Sequence, residues 1–333
     1  MDEQTNLTLP KRDLVIPDSY KYVECYLTLN CNLACSFCIN TIHVDEGGKR
    51  RDADGTRNNA VFKDDRFSEL NTGEWISAIN RIKTRKGVPV TLGGGEPFVH
   101  KGFIPIINGI DPDKEIDILT NLRWGQKGLE RFASEVDPAR LKRDAPYASI
   151  RVSYHPNEAG MEPVGLARDV KYLQDRGFSI GVWSVLFPSP EQLTAINQFQ
   201  FIARDHGIDF RLKEFVGVYE GKDDQGRPFE ITHGDYSKYP GAAFSRDGLK
   251  YADCKTTELL VGPNGKVYRC HTDLYDGQRE IGSLLDPAFK VEDAFRPCYI
   301  YGRCNPCDVK VKTDHAQKRG HTSVEIQNVR DLK

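Results

Sequence analysis

Long apolar runs are missing from this sequence of 333 residues. A helix that crosses a membrane needs roughly 18–20 consecutive apolar residues, and the polar stretch 1–17 lacks the apolar segment of a signal peptide. An excess of charge is missing as well, since 46 Lys and Arg residues stand against 48 Asp and Glu residues. The formal charge of −2 gives a nucleic acid or an anionic membrane no electrostatic reason to bind. We expect a cytoplasmic protein with neither of these partners.

Cysteine is absent between residues 38 and 254, although the sequence has nine cysteines in total. Four stand near the start and five near the end: Cys25, Cys31, Cys35 and Cys38, then Cys254, Cys270, Cys298, Cys304 and Cys307. Structural disulfides are rare in the cytosol, so clustered cysteines there indicate a metal site or catalysis. Two clusters on either side of a cysteine-free body predict two metal sites.

The cysteine-free body alternates β-rich runs with helical patterns. Apolar residues at helical spacing follow Thr72, the predicted N-cap of a first helix. Strand and helix alternation over about 190 residues predicts parallel pairing with right-handed crossovers. Six units, against eight in a full α/β barrel, predict an α/β fold with a partial (β/α)6 barrel, open on one side. The six predicted strands are Tyr22–Leu29, Val88–Leu92, Ile116–Thr120, Ser149–Ser153, Ile180–Leu186 and Phe210–Lys213.

The chain divides into four predicted parts. They are 1–19 as an N-terminal extension, 20–215 as the barrel, 216–250 as a linker, and 251–333 as a small auxiliary domain with a β-hairpin and a helix. The polar stretch 43–68 is predicted as an inserted loop, either solvated or a lid over the site. In barrels and open α/β sheets, ligands bind at the carboxyl ends of the strands. Because Cys31–Cys38 and Gly93–Pro97 both follow predicted strand ends, we expect them on one face.

The segment Cys31-Asn-Leu-Ala-Cys35-Ser-Phe-Cys38 has the spacing C-x3-C-x2-C. Three thiolates on one tight loop can hold three irons of a four-iron cluster, whereas ordinary ferredoxin-type clusters use four cysteines. The missing fourth ligand leaves one iron open. Cys25 is a conceivable fourth ligand, but it lies inside a predicted strand that fixes its side chain to one face, so we interpret it as a structural thiol. A zinc site or an ordinary iron–sulfur site is the alternative.

This spacing, with Phe37 before the third cysteine, resembles that of the radical S-adenosylmethionine (radical SAM) superfamily. The resemblance implies a [4Fe-4S] cluster on Cys31, Cys35 and Cys38, whose open iron chelates the amino and carboxylate groups of SAM. Phe37 is included among the implied cofactor-binding residues. The resemblance also implies reductive cleavage of SAM to a 5′-deoxyadenosyl radical, which abstracts hydrogen from an unactivated carbon. An external electron donor of the flavodoxin or ferredoxin type would supply the electron.

Three later segments, each at a predicted strand end, extend the resemblance. Gly94-Gly95-Glu96 matches the family's glycine–glycine–glutamate segment, which contacts the methionine end of SAM. Asn121 lies in a segment similar to the family's Thr-Asn-Gly, with Leu122 in place of the glycine. Ser153 stands where relatives place a hydroxyl near the SAM ribose. From the residues alone, the glycines are also compatible with a turn, and Asn121 and Ser153 with a strand-end turn or cap.

The second cysteine group begins with the pattern C-x10-G-x4-C, from Cys254 to Cys270. Asn264-Gly265 between two β-prone runs predicts a hairpin that could bring these two cysteines together. The pattern resembles the auxiliary-cluster extension called SPASM or, in its shorter form, twitch. Because five cysteines are too few for the two clusters of a full SPASM extension, the resemblance implies one auxiliary [4Fe-4S] cluster. The expected ligands are Cys254, Cys270, Cys304 and Cys307.

The roles of Cys298 and His271, and the metal that this region would bind, each have more than one interpretation. Cys298 is an alternative ligand, or a thiol that donates a hydrogen atom. A structural zinc ribbon is the alternative to the auxiliary cluster, because the same four cysteines could build it. His271 follows Cys270, and we interpret it as an exposed turn histidine rather than a ligand.

The family resemblance implies a reaction class but no single substrate. Thirty residues precede Cys31, so we expect no peptide-binding domain ahead of the barrel and favour a sugar, nucleotide or similar small molecule. The expected outcome is oxidation aided by the auxiliary cluster, or epimerisation with Cys298 or Cys25 as hydrogen donor. A peptide-modifying maturase and a non-catalytic iron–sulfur or zinc carrier or scaffold are the alternatives. The polar candidates for substrate contact are Arg151, Tyr154, His155, Lys213 and Glu214.

Overall fold

A sheet of nine strands forms the centre of the molecule, and helices lie between most of its consecutive strands along the chain. The computed structural model describes residues 12–33, 66–156, 161–186, 189–214, 217–222, 227–233, 252–297, 311–312, 321–322 and 324–329. The elements in chain order are β1 (Leu14–Val15), β2 (Tyr22–Thr28), α1 (Thr72–Asn80), β3 (Ile82–Lys83), β4 (Val90–Gly94), α2 (Phe103–Gly109), β5 (Ile116–Thr120), α3 (Gly125–Glu135), β6 (Ile150–Ser153), α4 (Pro163–Gln174), β7 (Ile180–Leu186), α5 (Pro190–Asp205), β8 (Phe210–Glu214), β9 (Gly217–Lys222), β10 (Pro228–His233), β11 (Ala252–Thr256), β12 (Glu258–Val261), β13 (Lys266–Tyr268), α6 (His271–Asp276), β14 (Gly282–Ser283), β15 (Arg296–Pro297), β16 (Val311–Lys312), β17 (His321–Thr322) and β18 (Val324–Val329).

Seven neighbouring strands of the central sheet run parallel, in the order β12-β2-β4-β5-β6-β7-β8. The strands β13 and β14 extend the β12 edge with antiparallel pairing. The six strands predicted from the β-rich runs are β2 and β4 to β8, and each observed end lies within two residues of its predicted end. The α/β class with a mostly parallel sheet is therefore confirmed.

The first helix begins one residue earlier than its sequence pattern predicts. Asn71, not Thr72, is the N-cap of α1, since its side-chain oxygen accepts from the backbone N–H of Glu74 at 3.0 Å. The Glu74 carboxylate in turn accepts from the backbone N–H of Asn71 at 2.8 Å. This reciprocal capping box satisfies two backbone donors, which explains why the cap falls on Asn71.

The two faces of the sheet differ because successive side chains of a strand point to opposite sides. In β2, Val23, Cys25 and Leu27 lie in the main apolar core together with the buried sides of the helices. On the other face, Tyr26 joins a smaller apolar cluster with residues of β12, β13 and α6. Glu24, an acidic residue on that same second face, is buried. The second face therefore combines polar and aromatic side chains.

The predicted hairpin of β12 and β13 is confirmed, and it belongs to the central sheet. β12 pairs in parallel with β2, from Glu258 opposite Tyr22 to Val261 opposite Cys25. β11, which carries Cys254, lies in a separate three-stranded sheet between β15 and β18. The boundaries of the four predicted parts stay predictions. None of the helices that the structure describes is long and apolar enough to cross a membrane.

Candidate functional site

The site is built around the carboxyl end of β2, where the chain leaves the sheet and reaches Cys31. The backbone N–H of Asn30 donates to Thr28 Oγ1 at 2.9 Å, and the Asn30 side-chain amide donates to the Glu69 carboxylate at 2.8 Å. The Thr28 hydroxyl donates to the same Glu69 oxygen. These contacts fix the segment that presents the first cysteine of C-x3-C-x2-C. The other two predicted ligands and Phe37 (Cys35, Phe37 and Cys38) lie outside the described residues.

Glu69 was not predicted as part of the site. It follows directly on the polar stretch 43–68, most of which lies outside the described residues. The end of that stretch is anchored, because Phe67 is buried in the smaller apolar cluster on the second face of the sheet. No spacing in the sequence links Glu69 to Thr28, which is 41 residues away. The only signal in the sequence was a carboxylate two residues before the cap of α1.

The glycine run at the end of β4 packs against this same segment of chain. A Cβ atom on Gly94 would lie 2.1 Å from the carbonyl oxygen of Thr28, and one on Gly95 would lie 2.3 Å from that of Asn30. Gly94 also has φ +142°, a backbone conformation that side chains exclude. The backbone N–H of Gly95 donates to Thr28 O at 2.8 Å, and that of Glu96 donates to Asn30 O at 2.9 Å. The glycines therefore let the end of β4 approach the backbone that leads into Cys31.

This close approach to protein backbone is a different reason for the glycines than close approach to a ligand. The predicted contact of Gly94 and Gly95 with SAM stays a prediction. The two roles are compatible, because a backbone fixed on one side by Thr28 and Asn30 is also held in place for a ligand on the other.

Glu96 is fully buried and links the end of β4 to the end of β5. Its carboxylate accepts from Thr120 Oγ1 at 2.8 Å, from the backbone N–H of Asn121 at 2.7 Å and from Trp124 Nε1 at 3.1 Å. It also accepts from the backbone N–H of Phe98 at 3.1 Å. Burial raises the pKa of the Glu96 carboxyl, and these four hydrogen bonds oppose that rise. The carboxylate is thus committed to protein donors, and the predicted role of Glu96 toward SAM stays a prediction.

Asn121 follows β5 and lies next to Cys31. Its side-chain amide nitrogen is 2.7 Å from Asn32 Oδ1 and 3.9 Å from Cys31 Sγ. Leu122, which stands where the resemblance has glycine, adopts φ +57°. The residue is buried in the main core, so the structure keeps the left-handed turn typical of glycine at that position and uses the leucine side chain for packing.

The polar candidates on and directly after β6 do not all lie on the same face of the sheet. Ser153, at the end of β6, is half-buried and lies opposite Trp183 of β7. Tyr154 is fully buried, and its ring packs against Phe199 and Phe210 in the core on the helix side. The interpretation of Tyr154 as a substrate contact is therefore wrong, because alternation along β6 turns it to the opposite face from Ser153.

Arg151 lies on the same face as Ser153, two residues earlier, and forms an ion pair with Asp117 of β5 at 3.0 Å. Arg143 pairs with the other oxygen of Asp117 at 2.6 Å. Arg151 is thus part of a charged row across the sheet. His155 is half-buried and Lys213 is exposed. The side chain of Glu214 lies outside the described set. The substrate roles of these residues stay predictions.

Cys25 is fully buried in the main core. Burial, and then the charge of Glu24, raise the pKa of the Cys25 thiol. The thiol lies on the helix side of β2, whereas Cys31 follows the end of that strand. This environment agrees with the interpretation of Cys25 as a structural thiol.

The second cysteine region centres on Cys270, which directly precedes α6. Cys270 is the N-cap of α6, and its sulfur accepts from the backbone N–H of Asp273 at 3.4 Å. His271 is buried, so the prediction of an exposed turn histidine is wrong. The reason is that α6 packs on the second face of the sheet, where the His271 ring lies 6.3 Å from the Tyr26 ring. Its Nδ1 is 3.8 Å from the buried carboxylate of Glu258.

Two contacts bring the other segments of this region toward Cys270. The backbone of Cys254 pairs with Arg296 across β11 and β15. Arg269 Nη1 donates to the carbonyl of Pro297 at 3.0 Å. The predicted ligands Cys304 and Cys307, together with Cys298, lie beyond the described ranges, as does the side chain of Cys254. Among the side chains that are described, no group of three metal-binding residues is assembled.

Comparisons with known proteins give three relatives of known or assigned activity, while no family model matches the chain. The S-adenosylmethionine-dependent nucleotide dehydratase of Selenomonas ruminantium is 26% identical over 290 residues, which cover 81% of this chain and 92% of that protein. The PqqA peptide cyclase of Rhodopseudomonas palustris is 24% identical over 40% of this chain and 28% of its own length. The probable GTP 3′,8-cyclase of Methanocella arvoryzae is 30% identical over 28% of this chain and 24% of its own length.

Solved structures with a related chain path include Streptococcus suis SuiB and anSMEcpe with AdoMet bound. The first has a TM-score of 0.46 and 15% identity, over 80% of this chain and 64% of that one. The second has a TM-score of 0.43 and 12% identity, over 80% of this chain and 78% of that one. These overlaps are too loose to carry a functional argument. The three relatives from the sequence comparison are radical SAM superfamily members, the superfamily whose cysteine spacing this chain resembles.

Proposed function

We propose that this chain is a radical SAM enzyme with a nucleotide or a related small molecule as substrate. It would cleave S-adenosylmethionine reductively and use the 5′-deoxyadenosyl radical to abstract hydrogen from that substrate. One observation carries the proposal: Cys31, the glycine run and Asn121 lie together at the carboxyl ends of β2, β4 and β5. Carboxyl ends of parallel strands are where such sheets bind ligands. The proposal includes a partial (β/α)6 barrel.

The residues at this edge fit a cluster with one open iron. Three thiolates from one loop, Cys31, Cys35 and Cys38, are a suitable donor set for three irons. The backbone around the described cysteine is held by Thr28, Asn30 and the glycine run, so the loop starts from a fixed position. When bound, the cluster would supply the electron that cleaves SAM, and an external flavodoxin or ferredoxin would reduce it.

The chain's own residues would then bind and orient the cofactor. The backbone of Gly94 and Gly95 would lie against the methionine end of SAM without a side chain in the way. Glu96 would hold Asn121 in position, since its carboxylate already accepts four hydrogen bonds. Ser153 would offer a hydroxyl near the ribose from the end of the neighbouring β6.

A second metal site in the region of Cys270 is part of the proposal, in the form of a twitch-like extension with one auxiliary [4Fe-4S] cluster. Its ligands would be Cys254, Cys270, Cys304 and Cys307. The pairing of β11 with β15, and the bond from Arg269 to Pro297, support a meeting of the chain around Cys254 with the chain before Cys270. Cys298 is the alternative ligand in place of one of these four, or a thiol that donates a hydrogen atom. A zinc ribbon is the alternative occupant.

A nucleotide is the favoured substrate because the relative named as a nucleotide dehydratase matches along 92% of its own length. The second face of the sheet also suits a polar ligand, since Glu24 and Arg151 are placed on it. Dehydration of the substrate is therefore a third reaction to test, beside oxidation and epimerisation. A peptide maturase is the second candidate, on the basis of the match to a peptide cyclase over 28% of that protein.

The test is anaerobic incubation of the iron-loaded protein with SAM and dithionite, with and without a panel of ribonucleotides. We expect 5′-deoxyadenosine, increased by the correct nucleotide, and a new nucleotide product by mass spectrometry. The matched pair of controls is Cys31→Ala, which should abolish deoxyadenosine, and Cys25→Ala, which should not. A protein with its iron intact that forms no deoxyadenosine under any of these conditions would favour the non-catalytic carrier instead.

A further inference from the structure

The side-chain amide of Asn121 has a single orientation that its hydrogen bonds permit. Its oxygen accepts from the backbone N–H of Arg123 at 2.8 Å. Its NH2 group must therefore point the other way, where Asn32 Oδ1 lies at 2.7 Å and Cys31 Sγ at 3.9 Å. An amide nitrogen has two hydrogens, so one can serve Asn32 and the other the sulfur. The N···S separation of 3.9 Å is long for a hydrogen bond, and sulfur accepts at longer distances than oxygen because its radius is larger.

The backbone beneath Asn121 is fixed as firmly as its side chain. Its own N–H donates to the buried Glu96 carboxylate at 2.7 Å. On one side, Thr120 donates to Glu96 and accepts from the N–H of Leu122 at 2.9 Å. Leu122 completes the turn in the left-handed region, at φ +57°. Since both the backbone and the amide are fixed, Asn121 can hold a hydrogen bond to a neighbouring thiolate at little entropic cost.

We propose that Asn121 is a positioning residue that donates an N–H···S hydrogen bond to the Cys31 thiolate and thereby raises the reduction potential of the cluster bound there. The inference rests on the proposed function, because it needs Cys31 as an iron ligand. A hydrogen bond withdraws electron density from the thiolate, which stabilises the reduced cluster relative to the oxidised one. No step of hydrogen abstraction passes through Asn121. Glu96 acts through Asn121 by holding its backbone.

The experiment is a potentiometric titration of the intact, iron-loaded protein, followed by EPR of the cluster whose signal changes when SAM is added. Asn121→Ala removes the donor and should shift the midpoint potential to a more negative value. Asn121→Asp keeps the size of the side chain and the oxygen that accepts from Arg123, and its charge should shift the potential further in the same direction. The matched control is Asn108→Asp, which alters an amide on α2 that donates to Glu135 O and should leave the potential unchanged.

Four outcomes are informative. Ordered negative shifts, with iron content and SAM response retained, would support the inference. An unchanged potential in Asn121→Asp with full iron would overturn it. Loss of the cluster from both Asn121 variants, in chains that still fold, would also overturn it, since the residue would then serve assembly rather than potential. A wild-type protein without any SAM-responsive cluster would instead overturn the proposed function itself.

Discussion

The two cysteine regions are assembled in different ways. Around Cys31, all three predicted ligands lie within eight residues of sequence, and the neighbouring contacts come from the ends of adjacent strands β2, β4 and β5. Around Cys270, the contributing segments belong to different sheets, with Cys254 on β11 and the helix cap at the end of β13. The first predicted site draws its ligands from one short stretch of sequence beside the strand ends, whereas the second needs segments that are far apart in the chain. Local sites can be recognised from spacing, while composite sites need the fold.

The comparison is tested most strongly by changing Cys31, Cys35 and Cys38 together to Ala. We expect complete loss of SAM cleavage, because no local ligand set remains. If the second region is an independent cluster site, about four irons per chain should remain after anaerobic reconstitution. Iron and zinc analysis checks this. Little iron with about one zinc per chain would instead show that the second region is a structural zinc site. Redox-neutral radical reactions at the first site would then be the leading candidates for the activity.

The close packing of the end of β4 against the chain that leads into Cys31 is tested by Gly94→Ala. The new Cβ would overlap the carbonyl oxygen of Thr28, and φ +142° is closed to alanine, so we expect a loss of at least about 3 kcal/mol in the free energy of unfolding. Gly87→Ala is the matched control, since Gly87 also has positive φ, at +82°, but no atom within 4 Å of its Cβ position. That variant should lose roughly 1 kcal/mol. If urea unfolding shows that both variants lose the same free energy of unfolding, close packing against β2 is not the reason for a glycine at position 94.

A smaller effect is expected for Glu96→Gln, which offers an NH2 group where all four partners are donors. The expected loss is about 2 kcal/mol at neutral pH. Burial raises the pKa of Glu96 in the folded chain, so the folded chain keeps this proton at pH values where the unfolded chain has released it. Wild-type stability should therefore fall relative to the Gln variant as pH rises through the folded pKa.

Unfolding of both proteins between about pH 4 and pH 7 measures this difference. A difference that is constant across the range would contradict the raised pKa. A Gln variant as stable as wild type at every pH would show that the link between β4 and β5 does not depend on the carboxylate.

The smallest effect is expected for Cys25→Ala. Removing a sulfur from the buried core should cost about 1–2 kcal/mol, while deoxyadenosine formation and the final product should not change. The thiol lies in the core on the helix side of β2, away from the carboxyl edge. Product analysis with the variant checks this, and loss of product at normal deoxyadenosine yield would instead identify Cys25 as a hydrogen donor.

Much of the first region followed from the sequence because its signals are local. The runs that became β2 and β4 to β8 are apolar and β-branched, and each motif falls at a strand end. Exposure of His271 was predicted wrongly because its burial depends on Tyr26, which is 245 residues away in the chain. The cap of α1 fell on Asn71 instead of Thr72 because only hydrogen-bond geometry distinguishes two capable neighbours. Glu69 carried no spacing signal at all.

The parallel pairing of β12 with β2 has a consequence for how the protein is made. Glu258 lies opposite Tyr22, so one edge of the strand that leads into Cys31 stays unpaired until the ribosome has synthesised residues near the other end of the chain. Contacts between such distant residues form slowly, and an unpaired edge can join the edge of another chain. We therefore expect early termination before residue 258 to give aggregation during synthesis rather than a smaller working enzyme.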